Sequence, residues 1–280
     1  SADDPYLALL SAVIERQAAL VAQWQLIGFI HGVMNTDNMS IAGETIDYGP
    51  CAFMDTYHPE TVYSSIDHRG RYAYQNQPPI AHWNLAGLAQ ALLPLLSENE
   101  DEAVEKATAA INTFPECFKA SYTAGLGRKL GLSTVDVGDE VLGSDLLERM
   151  ARNKADFTLT FRYLSALSQT QNDADNHVRA LFEEPAEFDQ WATDWRVRLV
   201  QDGVADSERQ DQMRKANPLY ISRNHLVEAA IRAAEDRDDL ASFDHLVTVL
   251  TSPYQQQPGA EAYAEPPRPE QVVQQTFCGT

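Results

Sequence analysis

The sequence is poor in cysteine, in positive charge and in long apolar runs. Its three cysteines, Cys51, Cys117 and Cys278, include no CxxC spacing. That excludes a disulfide scaffold and a standard zinc site, and makes a reducing cytoplasm the expected compartment. Lys and Arg number 21 against 41 Asp and Glu, a formal charge of -20. Gripping nucleic acid or docking on an anionic bilayer needs a basic face, so neither is expected as a partner. The longest apolar runs, such as Leu92–Leu96, are too short to span a membrane. Asp3 and Asp4 stand where a signal peptide would carry basic residues. Against these absences, hydrophobic residues make up 44% of 280, enough for a buried core in one large domain or two small ones.

Helical periodicity is the dominant pattern. Tyr6, Leu9, Leu10, Val13, Ile14, Gln17, Leu20, Val21, Trp24 and Ile27 recur at spacings of three and four, which predicts a helix over 5–30 that stops near Gly28. Further helices are expected at 83–96, 103–114, 116–130, 145–152 (with Ser144 as N-cap), 157–167, 188–199, 224–234 and 240–250. Pro50, Pro59, Gly70, Pro78 and Pro79 punctuate 50–80, which reads as a long functional or mobile loop. The tail after Ser252 is rich in Gln and Pro and is expected to run extended on the surface.

Between the first helix and that loop lies the informative stretch. His31–Asn38 is polar and fits neither helix nor strand. Met39-Ser40-Ile41 and Thr45-Ile46-Asp47 flank the compact turn Ala42-Gly43-Glu44, predicting a small hairpin that Tyr48-Gly49-Pro50 ends. Singly, an Asp-Asn pair is a turn signal and a His before Gly a structural hydrogen bonder. In this order they resemble the catalytic centre of a protein-kinase-like fold. There H-R-D-x-x-x-x-N supplies a base and a magnesium ligand, and D-F-G supplies a second ligand. His31 and Asn38 keep that offset, but Val33 stands where the base would be and cannot accept a proton. Asp37 is the nearby carboxylate that could take over, approaching a nucleotide from another direction. Asn38 and Asp47 retain the hard oxygens that suit Mg²⁺.

Longer stretches carry a closer resemblance. His31–Ile41, Thr45–Pro50, Gly70–Pro78, Trp83–Ala86 and Asn217–His225, with the near-terminal Cys278, resemble the selenoprotein O family of protein adenylyltransferases over essentially the whole chain. The resemblance implies an enzyme with a pseudokinase fold that binds ATP in an inverted orientation. It would transfer AMP to Ser, Thr or Tyr hydroxyls of protein substrates, with Mg²⁺ or Mn²⁺. It implies Asp37 as catalytic base, and Asn38 and Asp47 as metal ligands, with Asp47 also touching nucleotide phosphate. Attack at the α-phosphorus, with pyrophosphate leaving, would account for Val33. The family's nucleotide-binding N-lobe is not apparent: no Gly-rich loop precedes residue 31, and Arg16 is the one Lys or Arg in residues 1–50. Those parts are expected upstream of Ser1, which would make this chain a C-terminal piece with little activity alone. A catalytically silent scaffold and a conventional phosphotransferase are the alternatives. Asp37, Asn38 and Asp47 together argue against the first, and Val33 against the second.

The expected architecture is therefore mainly α-helical. A kinase-like C-lobe part over 1–135 holds a small hairpin at the catalytic loop and an activation-like segment. A helical region covers 136–252, and an extended tail covers 253–280. His58, Asp67 and His68 match no zinc spacing and read as a solvated loop. Some relatives carry selenocysteine where Cys278 stands. This implies a redox tie of the tail to Cys51, the alternative being a buried Cys51 and Cys117 with an exposed Cys278. Trp83, Trp191 and Trp195 are expected between helices. Arg223 is expected to pair with an acidic neighbour or hold the helical region to the active-site loop. Glu98–Glu102 and Asp236–Asp239 read as solvated helix ends.

Overall fold

In the computed structural model, which describes residues 4–277, the chain is mainly helical. The first half contains α1 (Pro5–Ile27), α2 (Gln77–Leu96), α3 (Glu100–Ile111) and α4 (Phe114–Leu130). Then follow α5 (Val137–Arg152), α6 (Phe157–Leu164), α7 (Asp175–Arg179), α8 (Pro185–Asp202) and α9 (Asp206–Ala216). The last are α10 (Asn224–Arg237) and α11 (Ala241–Leu250). Strands β1 (Phe29–Ile30) and β2 (Ala52–Phe53) pair antiparallel, Phe29 with Phe53 and Ile30 with Ala52.

Helix α1 begins where Asp4 accepts a hydrogen bond from the Leu7 amide at 3.1 Å, and it ends at Gly28 in the left-handed region. It is long and apolar enough, by length and composition, to cross a membrane, but its apolar side is core. Leu10, Val13, Ile14, Ala18 and Val21 pack with Ala81 and Leu85 of α2, Ala103 and Ala107 of α3 and Phe114 of α4. A second buried cluster joins the end of α4 to α5, α6 and α8, and reaches Met54, Tyr57 and Tyr74 of the 50–80 segment.

Several expectations are corrected. Helix α2 starts at Gln77, because Pro78 and Pro79 occupy its first turn, where an amide N–H has no helical partner to lose. Helix α5 starts at Val137, where the Asp139 carboxylate accepts from the Asp136 amide at 2.7 Å. Ser144 is mid-helix, its hydroxyl donating to the Val141 carbonyl at 3.0 Å, and caps nothing. Helices α7 and α9 were not foreseen; α9 buries just Arg209 and Met213, so it offers no apolar stripe to read. The predicted hairpin is a single bridge, Met39 to Thr45. The groups that would extend its ladder go elsewhere: the Ser40 carbonyl accepts from Gln17 Nε2 at 2.5 Å and the Ile46 carbonyl bonds His31 Nε2 at 2.8 Å. Trp191 and Trp195 are buried as expected, but Trp83 is 59% exposed.

The 50–80 segment is irregular yet tightly held. The tail returns to it: Thr276 bridges Ser64, and its hydroxyl donates to the Pro50 carbonyl at 2.5 Å. Cys278, and with it any bond to Cys51, lies outside the described residues. Burial pushes the half-buried Cys51 thiol up to about 11.

Candidate active site

The loop 31–51 leaves the helical body through the two-stranded neck of β1 and β2. At its entrance His31 is fully buried. Its amide donates to Gln77 Oε1 at 2.9 Å, and Gln77 Nε2 donates to the Phe29 carbonyl at 2.9 Å. The first residue of α2 therefore satisfies two backbone groups that the short sheet leaves over. The His31 ring rests 5.4 Å from Trp24, and burial pulls its pKa below the ordinary 6.5. A neutral ring fits its contacts, because Nδ1 accepts from the Val33 amide at 3.5 Å while Nε2 carries the proton toward the Ile46 carbonyl. Gly32 has φ +87, and a Cβ there would sit 2.9 Å from the Pro50 carbonyl oxygen, so the crossing of the two loop ends requires glycine.

Thr36–Asn38 forms one 3-10 turn, closed by the Asn38 amide on the Asn35 carbonyl at 3.0 Å. Asn84 of α2 supports it from below, donating to the Met34 carbonyl at 2.8 Å. Asn38 is buried, and its Nδ2 donates to the Val33 carbonyl at 3.0 Å. That bond fixes the amide and leaves Oδ1 as its ligand end. Asp37, on the same turn, is exposed. Across the bridge, Trp24 Nε1 donates to Thr45 Oγ1 at 2.9 Å, and the chain passes to Asp47. Asp47 is exposed and has φ +54, a left-handed conformation that non-glycine residues rarely adopt. The Met39–Thr45 bridge makes Thr36–Asn38 and Ile46–Asp47 leave from the same end. All three candidates thus lie on one loop, with Asn38 fixed and both carboxylates open to solvent.

Among the described residues no cluster of three or more His, Cys, Asp or Glu could by itself hold a metal ion. The candidate donors are two carboxylates and one amide oxygen. This set fits an ion such as Mg²⁺ that keeps water and phosphate ligands, and does not fit a closed protein cage. His58 and Asp67 are occupied locally: His58 Nδ1 accepts from the Glu60 amide at 3.2 Å, and Asp67 accepts from the Arg71 and Tyr72 amides at 2.9 and 2.8 Å.

Arg223 pairs with acidic neighbours, as expected, but not with the loop 31–51 itself. Fully buried, it contacts Asp55 at 2.7 Å and Asp156 at 2.6 Å, tying the segment after Asp47 to the start of α6. Asn224 adds a bond to the Phe53 carbonyl at 2.9 Å. The residues that sequence reasoning missed are the supports Gln77, Asn84, Gln17 and Trp24. Gln17 was a signal in plain view, a polar residue inside the apolar period of α1.

Comparison with known proteins bears on the family to which the chain belongs. The family model described as "Protein adenylyltransferase SelO" matches residues 1–251. The chain is 58% identical over 279 residues to a protein named "Protein nucleotidyltransferase YdiU" of Rhodopseudomonas palustris (strain BisB5), covering 100% of the chain and 56% of that relative. Proteins of the same name from Bradyrhizobium diazoefficiens and Methylorubrum extorquens (strain PA1) are each 57% identical, over 99% and 100% of the chain and 56% and 57% of their own lengths. The chain thus spans about half the length of the curated relatives it matches. With a family match over most of its residues, the chain belongs to the SelO family of protein adenylyltransferases.

Proposed function

We propose that the natural protein carrying this chain is an ATP-dependent protein adenylyltransferase that modifies Ser, Thr or Tyr hydroxyls of protein substrates in the bacterial cytoplasm. The observation that carries this reading is the loop end where Asn38 is locked by Val33 while Asp37 and Asp47 face solvent. Asn38 Oδ1 and the Asp47 carboxylate would hold Mg²⁺ or Mn²⁺. Such an ion, when bound, neutralises charge on phosphate oxygens. Asp37 is the base: it takes the proton of the acceptor hydroxyl. The acceptor oxygen forms a bond to the α-phosphorus of ATP, the bond from that phosphorus to the β-phosphate oxygen breaks, and pyrophosphate leaves. In this reading the helical body is a kinase-like C-lobe with a helical extension, and ATP lies inverted so that the α-phosphorus faces the loop.

Val33 weighs against γ-phosphoryl transfer. It offers no side-chain base, and its carbonyl is committed to Asn38. The test uses the complete natural protein with ATP labelled at the α- or the γ-phosphate and a protein acceptor. Label from α alone is expected. Label from γ would replace this reading with a kinase, and no label in either case would replace it with a silent scaffold.

A further inference from the structure

Trp83, expected between helices, stands 59% exposed on α2. The guanidinium of Arg71 covers it, with Cζ 4.9 Å from the Trp83 ring centroid and 5.7 Å from that of Tyr72. Arg71 sits on a rigid turn. The Asp67 carboxylate accepts from the amides of Arg71 and Tyr72, and Asn76 Nδ2 holds the Gly70 carbonyl at 2.7 Å. Asp67 is thereby committed to backbone. Among the described residues Arg71 and its exposed neighbour Arg69 form no ion pair, whereas Arg149, Arg179, Arg198 and Arg223 are all paired.

This plate borders the proposed catalytic turn on two sides. The Tyr72 hydroxyl donates to Asn35 Oδ1 at 2.8 Å, and Asn35 opens the turn that carries Asp37. Gly87 lies one helical turn after Trp83 on the same face, and a Cβ there would sit 3.7 Å from Thr36 Cγ2. The loop itself is acidic, with Asp37, Glu44 and Asp47 all exposed. An acidic acceptor could approach it where positive charge is supplied locally, and Arg69 and Arg71 supply it.

We propose that Arg71, aided by Arg69 and backed by Trp83, seats a carboxylate of the acceptor polypeptide a few residues from the hydroxyl that is modified. The proposal rests on the AMP-transfer reading and adds its substrate specificity. A guanidinium held over an indole places bidentate donors next to an apolar plate. That suits an Asp or Glu side chain with its methylene stem, whereas a polyphosphate would use several cations and no apolar plate.

The test compares acceptor peptides that share one hydroxyl and differ by Glu or Lys at flanking positions, at low salt, with the complete natural protein. The wild type is expected to favour the Glu peptide roughly fivefold in kcat/KM, the scale of one or two exposed charge pairs. Arg71→Glu should reverse the order, and Trp83→Ala should shrink the preference without reversing it. Equal use of both peptides by the wild type, or an unchanged preference in Arg71→Glu, would overturn the proposal. A defect of Arg71→Glu confined to the KM for ATP would overturn it too, and would assign the arginine to the nucleotide. Should the wild type transfer no AMP to any acceptor, the functional reading fails while the seat remains testable. Quenching of tryptophan fluorescence, absent in Trp83→Phe, should then still show tighter binding of the Glu peptide, and equal binding of the two peptides would sink the seat as well.

Discussion

The helical body around Trp191 and Trp195 and the loop 31–51 are held by opposite means. In the body the two indoles stack with centroids 5.7 Å apart, both fully buried. Their N–H groups donate to the carbonyls of Leu142 and Leu130 at 2.8 and 2.9 Å. Apolar burial carries that region, and hydrogen bonds merely satisfy what burial encloses. The loop has a two-residue neck, one bridge and exposed carboxylates, and Met34 is its one fully buried apolar side chain. It is held by side chains reaching in from α1 and α2: Gln17, Trp24, Gln77 and Asn84. Non-directional packing fixes the bulk of the molecule, and directional bonds fix the site.

Breaking the body should have the largest effect. Trp191→Ala removes a fully buried indole and should cost about 3–5 kcal/mol, read as a lower midpoint in denaturant. Next comes the joint between the two regions. Gln77→Ala leaves the buried His31 amide and Phe29 carbonyl unpaired, for about 2–4 kcal/mol. Unlike Trp191→Ala, it should lower AMP transfer even where the protein remains folded, measured well below its melting temperature.

A smaller effect sharpens the contrast from inside the body. Lys129 is buried, with its ammonium 4.0 Å from the Phe161 ring centroid, and burial pulls the amine from 10.5 to about 7. Between those values the unfolded chain binds more protons than the folded one, so this residue makes stability rise with pH across that window. Lys129→Met should flatten the rise and raise stability near pH 7, checked by melting curves from pH 7 to 10; transfer activity should be unchanged. The smallest change in stability is expected in the loop. Asp47→Gly relieves a positive φ and should leave the protein equally stable or about 1 kcal/mol more so, while abolishing transfer.

The two regions were also unequally legible in the sequence. Helix α1 could be read because its apolar residues follow one period, and α9 could not because it buries an arginine and a methionine. The start of α2 was hidden by Pro78 and Pro79, which look like loop punctuation but are compatible with a first turn. Asn38 and Asp47 stood out by order and spacing, and Asp37 as the nearby carboxylate to which the family resemblance gives the role of base, so the candidate residues came from the sequence. Their setting did not. Spacing cannot show that Asn38 is clamped by Val33, that Asp47 is left-handed, or that Gln77 bridges 46 residues to His31. Trp83 was misplaced because an indole is normally worth burying; here the Arg71 guanidinium lies over the ring, 4.9 Å from its centroid, instead.

The central claim is that the loop end bearing Asp37, Asn38 and Asp47 performs AMP transfer independently of what stabilises the fold. The most direct measurement is incorporation of label from α-labelled ATP into a protein acceptor by the complete natural protein and by its Asp47→Gly variant, with melting temperatures recorded for both. The account predicts transfer by the wild type, none by the variant, and a melting temperature that does not fall. Full transfer by a variant that melts like the wild type would contradict it.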